Sequence, residues 1–123
     1  MRILCFLFAG LIFAQEPTTP PGMECRARTL VLFVPGPGRE TKDLTAAHFS
    51  YMGQQMRAGK IIAAGPLGGK EGAAIVFASD KWDEVQDILR DEPFTRAGVI
   101  KVSEHNTWTA CQAVGAHLLP LRP

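Results

Sequence analysis

Residues 48–98 read HFSYMGQQMRAGKIIAAGPLGGKEGAAIVFASDKWDEVQDILRDEPFTRAG, and the punctuation inside this stretch decides the fold. A helical pattern stops at Gly59, the residue type that most readily takes up the left-handed conformation after a last helical turn. Two β-rich runs follow, Ile61 to Pro66 and Gly72 to Ala78, separated by Leu67 to Glu71 with its Gly68-Gly69 turn, which makes them a hairpin. Ser79 or Asp80 can cap a second helix with a side-chain oxygen, Trp82, Val85, Ile88 and Leu89 give it a buried stripe, and Pro93 ends it.

Upstream, Arg28 to Val34 is a β-branched and aromatic-rich strand that halts at Pro35-Gly36-Pro37-Gly38. Thr41 to Ala58 places Leu44, Ala47, His48, Tyr51, Met52, Gln55 and Met56 at helical spacing, so His48 sits on the apolar side of a first helix. Downstream, Val99 to Ser103 supplies a fourth strand. The order β-α-β-β-α-β predicts an α+β, ferredoxin-like domain: one four-stranded antiparallel sheet, two helices on one face, and the first and last strands adjacent. Alternation turns residues such as Leu30, Leu32 and Val34, or their partners, to the uncovered face, where they are too apolar to stay wet. The expectation is a homodimer packed sheet to sheet; the alternative is that Ala110, Val114, Leu118 and Leu119 fold back over the open face of a monomer.

The ends are set apart from this domain. Arg2, the apolar run Ile3 to Phe13 and the Ala14-Gln15 junction read as a secretory signal peptide over residues 1–14, too short to span a bilayer, which needs about 20 apolar residues. Glu16-Pro17-Thr18-Thr19-Pro20-Pro21-Gly22 reads as extended linker, giving a linker over 15–27, a domain over 28–108 and a tail over 109–123. The location expected is secreted or periplasmic, with no membrane association after cleavage. Loss of Arg2 balances the 13 basic against the 12 acidic side chains, and the cations are scattered, so no nucleic-acid footprint is present.

Export leaves Cys25 and Cys111, one ahead of the first strand and one beyond the last. If those strands are antiparallel neighbours, the thiols come within bridging distance, and a disulfide there stabilises the domain by about 2 to 4 kcal/mol. Two independent small side chains are the alternative. No cysteine or histidine spacing suggests a metal site.

Ala47-His48, the run Gly59-Lys60-Ile61-Ile62-Ala63-Ala64-Gly65-Pro66, Ser79 at the second helix, and Pro93-Phe94 followed by Ala97-Gly98 together resemble the YCII-related family of dimeric α-β barrel proteins, over about Arg28 to His105. The resemblance implies a ferredoxin-like dimer with a pocket holding a proposed histidine–aspartate catalytic pair. One resembling branch removes hydrogen chloride from a chlorinated hydroxyquinone, which implies elimination or isomerisation on a small cyclic organic ligand without a cofactor. This chain departs from the family's Asp-Pro-aromatic pattern: Glu92 precedes Pro93 and Phe94, and Asp91 stands one place earlier. The catalytic candidates are therefore His48 with Glu92 or Asp91. A carboxylate beside an imidazole fixes its tautomer and strengthens the other nitrogen as a base.

Tyr51, Gly65, Pro66 and Ser79 are the candidate ligand-binding residues, each with a structural reading beside it: a core aromatic, a strand-ending turn for the Gly65-Pro66 pair, and a helix cap. His105 and His117 carry no partner spacing and are assigned no role. Two function classes follow. One is an exported lyase or isomerase using His48 as base; the other is a non-catalytic dimeric module that binds a small ligand or a partner.

Overall fold

A computed structural model describes residue 19 and residues 21–69 and 71–113. Strand β1 (Met23–Pro35) leads into helix α1 (Lys42–Arg57), strands β2 (Ile61–Pro66) and β3 (Ala73–Phe77), helix α2 (Trp82–Arg90), the short helix α3 (Pro93–Arg96) and strand β4 (Ile100–Ala113). All strand pairs are antiparallel and the sheet order is β2-β3-β1-β4, which places the first and last strands side by side. This is the ferredoxin-like α+β arrangement that the order of elements predicts.

Alternation along β1 sorts its residues cleanly. Thr29, Val31 and Phe33 are buried beneath the helices, whereas Leu30, Leu32 and Val34 point the other way and stay half-buried. Val31 and Phe33 join Ile61, Ile75 and Phe77 from the sheet, Met52 from α1, and Val85 and Leu89 from α2 in one core. Burying each large apolar side chain there contributes about 1.5–3 kcal/mol. Thr29, the buried polar residue among them, donates its hydroxyl to the Ser79 carbonyl at 2.8 Å.

Several boundaries differ from the sequence expectation. β1 begins at Met23, so the last residues assigned to the linker are strand, and β4 runs ten residues past Ser103 to Ala113, taking in the end of the domain and the start of the tail, Ala110 included. Each long strand supplies the other's hydrogen-bonding partner, and that pairing overrides the polar composition of Glu104 to Thr109. Residues 1–14, Val114, His117, Leu118 and Leu119 lie outside the described residues. Pro93 does more than end α2: it occupies the first turn of α3, where its missing N–H is no loss. Lys81, without a side-chain cap, precedes α2, and the Ser79 hydroxyl instead accepts from Lys81 N at 3.1 Å and donates to Glu84 Oε2 at 2.5 Å.

At Cys25 and Cys111, directly opposite in the β1–β4 ladder, the two sulfur atoms are bonded. No helix among the described residues is long and apolar enough to cross a membrane.

Candidate functional site

Helix α1 starts where Thr41 accepts from Leu44 N at 3.2 Å, and Gly59, with φ 72°, follows its last turn. Only Met52 of this helix is buried, because its apolar side flanks a cleft rather than packing flat on the sheet. The cleft holds about 810 Å³ and is walled by His48, Phe49, Met52 and Met56 of α1, by the hairpin strands at Gly65, Pro66 and Ala73, and by Phe94. Gly36 and Gly38 close one end. A Cβ at either would overlap the backbone around Ala97, Gly98 and Val99, which explains glycine at both places in the Pro35–Gly38 run.

Glu92 is carried to this cleft from 44 residues away. Its Oε1 lies 2.5 Å from His48 Nδ1 and accepts from Phe94 N at 3.1 Å, while Oε2 accepts from the Thr95 amide and hydroxyl, both at 2.7 Å. The carboxylate therefore caps α3 and holds the imidazole at once. With Nδ1–H donating to Glu92, Nε2 is the ring nitrogen left to accept a proton. Phe94 stacks on the imidazole at 4.0 Å and 6° between planes, and Phe49 meets it edge-on at 5.4 Å. Burial pushes the Glu92 carboxyl up, but hydrogen bonds from Thr95, His48 and Phe94 outweigh it and hold the group below the usual carboxylate range.

The YCII-related domain matches residues 25–109, most of the chain. The chain belongs to the YCII-related domain family. Curated proteins gave no match to it. Among solved structures it is similar to a 5-chloro-2-hydroxyhydroquinone dehydrochlorinase from Burkholderia phenoliruptrix AC1100 in complex with 2,5-dihydroxybenzoquinone. Identity is 26%, the TM-score is 0.48, and the match covers 64% of this chain and 92% of that one.

In this YCII-related domain the other candidate residues divide between two depressions. Gly65 and Pro66 line the His48 cleft. Tyr51, Ser79 and Asp91 do not: they line a separate depression of about 590 Å³ between α1 and α2, with Gln55, Lys60 and Glu84. The turn of α1 explains the parting, since Tyr51 follows His48 by three residues yet donates its hydroxyl to the Ile88 carbonyl of α2 at 2.7 Å. Burial, with Asp91 and then Glu92 nearby, raises the Tyr51 hydroxyl above its ordinary value. Asp91 is the residue after α2, and the carboxylate on the imidazole is that of Glu92. Among the described residues there is no cluster of three or more potential metal ligands.

Sequence reasoning missed Phe49, Met56 and Glu40 as cleft residues. Phe49 offered a signal, a large apolar side chain off the buried stripe of α1, and it is 69% exposed. Glu40 offered none, because its place depends on the path of the Pro-Gly loop.

Proposed function

We propose that this YCII-related protein is an exported, homodimeric, cofactor-independent lyase or isomerase for a small cyclic compound, with His48 as its base and Glu92 as the residue that orients it. The observation that carries the reading is the 2.5 Å contact between His48 Nδ1 and Glu92 Oε1 at the wall of an apolar cleft. His48 Nε2 takes a proton from a carbon next to a ring carbonyl. In an elimination the C–H electron pair becomes a C=C bond as a leaving group departs with its bonding pair; in an isomerisation it becomes the C=C bond of an enolate, the carbonyl π pair moving onto oxygen and returning when the proton is given back at another carbon. Such a base, held in the right tautomer, contributes roughly 10²–10⁴-fold. Export is supported by Arg2 and the apolar run Ile3 to Phe13, and by the Cys25–Cys111 bond, which belongs to oxidising compartments.

A second reading is a non-catalytic ligand-binding module, and it also has an observation in its favour: Glu92 is fully employed as the α3 cap whether or not His48 reacts. Replacing His48 with alanine separates the two. Screened against cyclic lactones and halogenated phenols, an enzyme loses at least about a hundredfold in kcat while the dimer survives. Unchanged turnover, or loss of fold without a catalytic effect, sinks the base assignment.

A further inference from the structure

We infer that Glu40 sets the charge accepted by the His48 cleft, admitting uncharged or cationic ring compounds and turning away ring carboxylates. The inference deepens, and rests on, the reading of this cleft as the site of a small cyclic ligand. Glu40 lines the cleft with His48, and the Thr45 hydroxyl lies 3.0 Å from its Oε1. Thr45 stands three residues before His48 on α1, so the two share a face and the carboxylate is tethered on the imidazole's side of the helix. The same hydroxyl lies 2.9 Å from the Thr41 carbonyl, so its one proton serves two acceptors and leaves Glu40 with most of its charge uncompensated.

Counting the carboxylates as anions, Glu40 and Glu92 bring two negative charges and His48 at most one positive charge, so the groups around the imidazole are together net negative in either histidine state. Among the described residues no lysine or arginine lines the cleft. Arg57 is not itself a lining residue, but its guanidinium lies beside Gly53, which lines the cleft more than a turn beyond His48 along α1. The amides of Gly36 and Gly38 are already spent on the carbonyls of Val99 and Gly98, at 2.8 and 2.7 Å. At the start of α1, where a helix favours an anion, Glu40 already stands and Thr41 already satisfies Leu44 N. A ligand carboxylate entering here would lose water and meet like charge with no donor to replace it.

The test titrates three ligands sharing a phenol ring, 4-hydroxybenzoate, 4-hydroxybenzamide and 4-hydroxybenzylamine, into the full chain, Glu40→Gln and Glu40→Lys by calorimetry at neutral pH. The wild-type protein is expected to bind the amide and the amine at least about tenfold more tightly than the carboxylate, ~1.4 kcal/mol. Glu40→Gln closes the gap to about threefold and Glu40→Lys reverses it, and salt near 1 M, with a screening length of about 3 Å, compresses it. Because the readout is a ratio within each variant, any loss of folded protein cancels. Equal binding of carboxylate and amide by wild type, an unchanged gap in Glu40→Gln, or no binding of any of the three overturns the assignment. A charge order that holds in a protein without turnover removes the acid–base reading and leaves this one standing. His48-dependent turnover of a ring carboxylate, bound as tightly as its amide, does the reverse.

Discussion

Burying a carboxylate costs several kcal/mol unless hydrogen bonds replace its water, and Glu92 has four donors to do so: His48 Nδ1, Phe94 N, Thr95 N and the Thr95 hydroxyl. The extra methylene relative to aspartate therefore does not cost the pair its contact; the longer arm spans from the α3 cap to the imidazole. Glu92→Gln keeps the size but removes the charge and turns an amide NH₂ toward at least one donor. We expect it to lower stability by about 2–3 kcal/mol, measured by urea unfolding at neutral pH. The pH dependence has a definite sign. Because the folded-state carboxyl titrates below its ordinary value of 4.5, its contribution is complete above that value and is lost as pH falls through the lower, folded-state one. Wild type should therefore lose more stability on acidification than Glu92→Gln, and parallel curves for the two would show that Glu92 is not the responsible group.

The elements were legible wherever a local signal agreed with the tertiary one. Gly59 marked the end of α1, Ile61 and Pro66 bounded β2 as observed, and the stripe of Val85 and Leu89 is the buried face of α2. β4 was legible only in its first residues because its alternation changes phase. Leu32 pairs with Glu104 but Phe33 with Val102, so Ser103 is an extra residue, bonded through its hydroxyl to the Leu32 carbonyl at 3.1 Å. Before that bulge Ile100 and Val102 pack toward the core; after it the odd positions, though exposed, are the ones on that face, which lays His105 flat on Trp82 at 3.6 Å and sets Cys111 opposite Cys25. No period-2 reading crosses such a shift. The strands beyond β3 form a two-stranded ribbon, Met23–Arg28 with Trp108–Ala113, and a lone ribbon of this kind is marginal in water. Its cross-link is expected to hold it. Cys25→Ser with Cys111→Ser should cost about 2–4 kcal/mol, or less where the ribbon frays alone. Amide exchange should quicken first at residues 23–27 and 109–113 while Val31 and Phe33 remain protected; uniform loss of protection would place the effect in the core instead.

For the whole molecule, the sheet has one covered face and one bare one. Leu30, Leu32 and Val34 of β1 share the bare face with Val76 and Ala74 of β3, and Trp108, paired with Arg28, extends it at 45% exposure. That apolar face was legible from alternation alone, whereas the cleft on the other side was not, because its walls come from three separated segments and a loop. A stable pair of chains buries about 1,200–2,000 Å² in total, a size that two four-stranded faces can supply. If copies of this chain pack sheet to sheet, Leu32 lies at the middle of the contact, flanked by Ala74 and Glu104 and clear of the core beneath the helices. Leu32→Lys would then place like charges against each other across the two-fold axis, and each would have to be buried or expelled. Sedimentation over a concentration series is expected to give a dimer for wild type and a folded monomer for Leu32→Lys, with the far-UV circular dichroism of the two superimposable. A wild-type chain that sediments as a monomer throughout would return the bare face to some other cover, and the dimer would be lost while the fold and the His48–Glu92 pair stood.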